Sequence, residues 1–147
     1  MTGFPRPIAE CVPHQGPMCL LDQVEAASAE TLTARVTPTP GALFADEEGI
    51  DAYVGLEWIA QAIAAWGYLT AEEADTPKKG LLLGAKRYQP NVTHFEYGRT
   101  YRVTIEPEFV ADNGLGTFNG AIWLDDTCVA QGNLRIFQPD NPEALTA

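Results

Sequence analysis

Asp51–Leu69, DAYVGLEWIAQAIAAWGYL, decides the fold of this chain. Leu56, Ile59, Ala60, Ile63 and Gly67 follow the i, i+3, i+4, i+7 template of a helix. Trp58, Ala62, Ala65 and Trp66 fill the opposite side, so the helix is apolar almost all round and belongs either in a core or in a membrane. Glu57 near its centre would cost a membrane span ~2.5–3.5 kcal/mol, and the flanks carry Asp51, Glu72 and Glu73 rather than the Lys or Arg that orients a span. The stretch therefore predicts a core helix wrapped by sheet. Glu57 and Gln61, its only charged or amide side chains after Asp51, are four residues apart and share a face with Tyr53, Ala64 and Tyr68. A carboxylate on a helix of this kind pairs with an Arg, caps a neighbouring element, or is a general acid tuned by burial.

Outward from the helix, the chain has 147 residues, 46% of them hydrophobic, which fits one domain over residues 1–139 with a frayed tail at 140–147. A net charge of −11 argues against nucleic acid or an anionic membrane as partner. Cys11, Cys19 and Cys128 form no C-x-x-C, and His14 and His94 lie far apart, so no metal site is expected. The first ten residues hold Pro5, Arg6 and Pro7 in place of an apolar leader, and a reduced, cytoplasmic setting is the expectation. Six of the nine basic residues (Lys78, Lys79, Lys86, Arg87, Arg99, Arg102) fall between 78 and 102, where Glu96 is the only acid. That stretch is a solvated sheet face or a docking site.

Before the helix, Thr31–Thr37 alternates apolar and polar residues as a half-buried strand, and MCLL at 18–21 should anchor on the core. GALFADEEGI at 41–50 reads as an acidic loop with Phe44 as its anchor, and Asp51 as the helix N-cap. After the helix, GLLLGAKRY reads as a buried strand. A clean alternation over 99–109, a hairpin at Asn113-Gly114, and two further strands joined at Asp125-Asp126 complete the pattern. His94 is expected in a turn. The pattern describes an α+β hotdog fold, a long central helix wrapped by a curved antiparallel sheet of about five or six strands.

VPHQGPMCLLDQV (12–24) resembles the Leu-Pro-His-Arg-x-Pro-Phe-Leu-Leu-Val-Asp-Arg-Val opening of the β-hydroxyacyl-acyl-carrier-protein dehydratases, and GLEWIAQAIA (55–64) resembles their helix motif. LDDTCVAQGNLRIF (124–137) is similar to their final hairpin. The chain resembles still more the divergent dehydratases of aryl-polyene gene clusters. This resemblance implies removal of water from a 3-hydroxyacyl thioester of an acyl carrier protein or coenzyme A, without metal or redox cofactor. It makes Glu57 the acid for the 3-hydroxyl, and assigns Gln61 and the backbone amides near Ala52 and Tyr53 to substrate binding. Lys78, Lys79, Lys86 and Arg87 become candidates for docking an acidic carrier protein.

The family's base is a histidine in a Gly-His-Phe-Pro-Gly loop just before the helix, and this chain has ALFADEEG there. His14 in the opening motif is the one candidate replacement, with a scaffold role as its alternative. Because family sites combine the loop histidine of one subunit with the helix glutamate of another, two assemblies are expected: a homodimer, or a heterodimer with a related histidine-bearing subunit. A hotdog thioesterase and a non-catalytic acyl-binding subunit are the competing functions.

Overall fold

A computed structural model describes residues 3–71, 77–78 and 80–139. The proposed tail at 140–147 and Lys79 lie outside them. Strands β1 (Arg6–Pro7), β2 (Gln23–Ala27), β3 (Leu32–Val36), β5 (Leu81–Pro90), β7 (Tyr101–Val110), β8 (Leu115–Leu124) and β9 (Thr127–Phe137) form one antiparallel sheet in the order β1-β2-β3-β7-β8-β9-β5. A second, two-stranded sheet pairs β4 (Ile50–Asp51) with β6 (His94–Phe95). The main sheet has seven strands rather than five or six. The difference is β1 and β2, the latter carrying a bulge between Val24 and Ala26 that breaks its alternation.

The helix α1 (Gly55–Thr70) is preceded by a 3-10 turn over Ala52–Val54, which Asp51 caps by accepting the Tyr53 N–H at 2.9 Å. It touches β2, β3, β7, β8, β9 and β5. Six adjacent strands span about 24 Å at the usual sheet spacing, whereas a helix is about 10–12 Å across. The sheet must therefore curl around α1, which is the hotdog arrangement. Trp58, Ile59, Ala62, Ile63 and Ala65 are buried with Val103, Ile105, Phe118, Ile122 and Leu134. Trp58 stacks on Phe95 with ring centroids 4.3 Å apart. A side chain at Gly120 would collide with Ile59, so this glycine sets how closely α1 approaches β8.

The wrapping is incomplete. Tyr53 and Glu57 are exposed, and Leu56, Ala60, Ala64 and Tyr68 only half-buried, so one strip of the helix faces outward among the described residues, and its last turn from Trp66 is half-buried as well. Strand β5 was expected to be buried, yet it is the sheet edge, with Leu81 48% and Leu83 49% exposed. Phe44 does not anchor its loop: it is exposed at a positive φ of 70°, and the buried Ile50 takes that role. Within 18–21, Leu21 is the core anchor, while Met18 is exposed. His94 stands in β6, paired with Asp51, and not in a turn. The hairpin at Asn113-Gly114 forms as expected, with Gly114 at φ 94° and the Asn113 side chain accepting the Leu115 N–H.

Candidate active site

Glu57 lies in the first turn of α1 on the uncovered strip, exposed among the described residues. Gln61, one turn later, is 1% exposed, because the opening segment crosses the helix there. Its Oε1 accepts the N–H of Leu20 at 3.0 Å and of Leu21 at 3.4 Å, and its Nε2 donates to the Met18 carbonyl. A buried primary amide is thus satisfied at both ends by backbone, which straps residues 18–21 to the helix. The amide expected to contact substrate is thus engaged at both ends by the chain's own backbone.

The strap sets His14. The Cys19 thiol donates to the His14 carbonyl at 3.3 Å, folding residues 14–19 back on themselves. The imidazole comes close enough to Glu57 to feel its charge, which raises the His14 pKa, but burial lowers it by more. His14 is therefore held below its ordinary value of 6.5, neutral at neutral pH. Its Nδ1 is buried without a hydrogen-bond partner, alone in that respect among the described residues. The charge of Glu57 thus reaches a residue 43 positions before it in the sequence. Burial also pushes the Cys19 and Cys11 thiols up, away from the thiolate form a nucleophile needs.

The amides of Ala52 and Tyr53, expected to polarise the carbonyl, both donate within the chain. Ala52 N–H donates to the Thr93 carbonyl at 3.0 Å, and Tyr53 N–H to the Asp51 carboxylate. This turn is fixed further by Tyr88 on β5, whose phenol donates to the Ala52 carbonyl at 2.5 Å and lies against Gly55. Burial drives the Tyr88 pKa far upward, so it stays a donor. The Tyr53 ring, 66% exposed, leans on it at 6.0 Å. Sequence reasoning missed Tyr88; the signal was Gly55 opening the helix, where any side chain would meet the Tyr88 hydroxyl.

The loop that replaces the family's histidine loop is firmly built. Asp46 Oδ1 accepts the N–H groups of Glu48 and Gly49 at 2.7 and 3.0 Å. His94 sits between Asp46 (3.0 Å) and Glu48 (3.3 Å), and the Tyr97 hydroxyl donates to the carbonyls of Asp46 and Gly49. These bonds to backbone N–H groups and to His94 hold the Asp46 carboxyl below its ordinary range. Among the described residues no His/Cys/Asp/Glu group could hold a metal ion.

The basic stretch divides. Lys86 and Arg87 are exposed at a bulge in β5, next to Tyr88 and hence beside the helix start. Lys78 precedes the same strand, and its carbonyl accepts the Gln138 side chain. Arg99 pairs with Glu96 at 3.2 Å, and Arg102 lies over Trp123 on a different part of the sheet. A cavity of about 350 Å³ is walled by Cys19, Leu20, Leu43, Ile50 and Trp58, beside the strap. Among the described residues no helix is long and apolar enough to cross a membrane.

The sequence profile of the ApeP-like family, described as ApeP dehydratase, matches residues 6–147. The structure is similar to a chain of the dehydratase heterocomplex ApeI:P from Xenorhabdus doucetiae, with a TM-score of 0.83, 26% identity and 95% of each chain covered. It also shares its fold with the HP0420-homologue from Helicobacter felis (TM-score 0.66, 12% identity, 88% of this chain and 97% of that one). A phenylacetic acid degradation-related protein from Ralstonia eutropha is similar in fold as well (TM-score 0.60, 14% identity, 77% and 81% covered). No curated protein sequence matches the chain.

Proposed function

Because this chain belongs to the ApeP-like family of hotdog dehydratases, we propose that it supplies the acid half of a dehydratase site, completed by a related hotdog subunit. The reaction is elimination of water from a 3-hydroxyacyl thioester carried by an acyl carrier protein. A base takes the C2 proton, that electron pair becomes the C2–C3 double bond, and the C3–O bond breaks as Glu57 protonates the leaving hydroxyl. The single observation that carries this reading is Glu57 on the uncovered strip of α1. A carboxyl group works as an acid at neutral pH when it is desolvated, and here that cover has to come from another chain.

Three further observations support a heterodimer. The ALFADEEG loop is tied down by His94 and Tyr97 and has no histidine of its own. Among the described residues β5 is an edge of the main sheet, with Leu81 and Leu83 exposed near its start and Tyr88, farther along, against the helix start, and that edge can pair with a partner strand. The similar solved structure is itself a heterocomplex. In the mixed dimer Glu57 faces the partner's base, and an acidic carrier would approach along β5, which carries Lys86 and Arg87 and is preceded by Lys78; Lys79, also a docking candidate, lies outside the described residues. A cytoplasmic setting and a role in making a fatty or polyene-type acyl chain follow from this reading.

The test is incubation of the mixed complex with 3-hydroxyacyl and 2-enoyl carrier thioesters. Interconversion of the two supports the proposal. Release of free carrier thiol would instead make the protein a thioesterase, and no change would leave it an acyl-binding subunit.

A further inference from the structure

We propose that His14 is a neutral hydrogen-bond donor in this site: its Nε2–H polarises the thioester carbonyl of the same substrate whose 3-hydroxyl Glu57 protonates. The proposal rests on the dehydratase reading and adds to it the group that receives charge at C1. As the C2 proton leaves, negative charge develops on the carbonyl oxygen, and a preorganised donor there lowers the barrier. The amides of Ala52 and Tyr53 already donate elsewhere, to Thr93 and Asp51.

The tautomer follows from burial. Nδ1 of His14 is buried with no acceptor in reach. An orphaned buried N–H is rarer and costlier than an orphaned acceptor, so the ring proton resides on Nε2. Among the described residues no side-chain bond engages Nε2, and it is not a buried unpaired atom, which makes it the nitrogen that meets solvent or substrate. The same reasoning disfavours His14 as the base. A basic Nε2 would require the proton on Nδ1, and the imidazolium formed after proton uptake would keep an unpartnered buried N–H. Burial, which lowers the His14 pKa, opposes that cation further.

Position also fits. Glu57 is near enough for its charge to reach the imidazole, yet among the described residues neither a hydrogen bond nor an ion pair joins the two. In a 3-hydroxyacyl thioester the carbonyl carbon and the hydroxyl-bearing carbon are separated by one methylene, so two groups serving them must be neighbours without touching. The donor is also held in place: Cys19 binds the His14 carbonyl, and Gln61 fixes Met18, Leu20 and Leu21 to the helix.

The experiment combines two readouts on the complex with a histidine-bearing hotdog subunit from the same genome. The first is nitrogen NMR of this chain labelled at histidine, with His14 assigned by the signal missing from His14→Gln. At pH 7 His14 is expected as the neutral Nε2–H tautomer, its Nε2 resonance moving when the amide analogue of a 3-hydroxyacyl pantetheine thioester is added. An Nδ1–H tautomer, an imidazolium, or no response to the analogue overturns the proposal whether or not the complex proves to be a dehydratase. The second is the dehydration rate. Glutamine places an N–H near the position of Nε2 but has no basic lone pair, so His14→Gln should lose no more than about tenfold while His14→Ala loses ~10²-fold or more. Equal losses in both variants, with thermal midpoints unchanged, would make His14 a base and overturn the donor role. Thioester hydrolysis in place of dehydration would overturn the dehydratase reading, leaving the NMR response to decide whether His14 donates to a bound acyl carbonyl.

Discussion

Gln61 accepts the backbone N–H of Leu20 at 3.0 Å, one helical turn beyond Glu57. That bond, with its companions to Leu21 and Met18, connects the two sequence motifs in space and sets His14 near the acid. A position that reads as a substrate contact also fastens the opening segment to the helix.

Removing the fastener should cost stability. Gln61→Ala leaves buried backbone groups of residues 18–21 without partners, at about 1–3 kcal/mol for an unsatisfied group. Urea unfolding should show a lower midpoint with an unchanged slope. A midpoint equal to wild type would mean that solvent replaces the amide and the strap is weak.

Glu57→Gln should behave in the opposite way. The side chain is exposed and its shape is kept, so the thermal midpoint should hold, while dehydration by the complex falls ~10²-fold or more. A variant that unfolds, or one that keeps full activity, would place Glu57 in a structural role.

Acid should destabilise the chain through His14. Its folded pKa lies below the ordinary 6.5, so between those two values the unfolded chain binds a proton that the folded chain does not. Stability is then full above pH 6.5, declines as pH falls through 6.5, and levels off below the folded value. The contribution is isolated by comparing wild type with His14→Gln in denaturant titrations across pH 5–8: the gap between them should change in favour of the variant as pH falls. A gap independent of pH would show that His14 is not held neutral.

Carrier docking should depend on the charge beside the helix start. Reversing Lys86 and Arg87 to glutamate should weaken use of carrier-bound substrate and leave small thioester analogues nearly unaffected. Added salt should mimic the change, since exposed charges are screened beyond ~8–10 Å. Equal losses on both substrates would assign these residues to the β5 bulge instead.

Much of the fold was legible from periodicity. The helix was plain because its apolar residues run almost all round, β7 because it alternates cleanly, and β8 and β9 because turn residues at Asn113-Gly114 and Asp125-Asp126 bound them. The strand β2 was not, since QVEAA has one large apolar residue and a bulge. The Leu81–Leu83 run and the Glu57 face were misread for one shared reason. An apolar pattern records that something covers a surface, not that the same chain does. The spacing of Glu57 and Gln61 put both on one face, but which of them the opening segment would cover depended on long-range bonds. The Tyr88–Ala52 bond and the clasp of His94 by Asp46 and Glu48 are equally non-local, and no spacing rule points to them.

The most direct test of the central claim is the dehydration rate of this chain alone and co-expressed with a histidine-bearing hotdog dehydratase from the same genome. The account predicts that activity dependent on this chain appears only in the mixed complex and is lost when this chain carries Glu57→Gln. Robust dehydration by the chain alone, abolished by both His14→Ala and His14→Gln, would contradict it and make His14 the base of a homomeric enzyme.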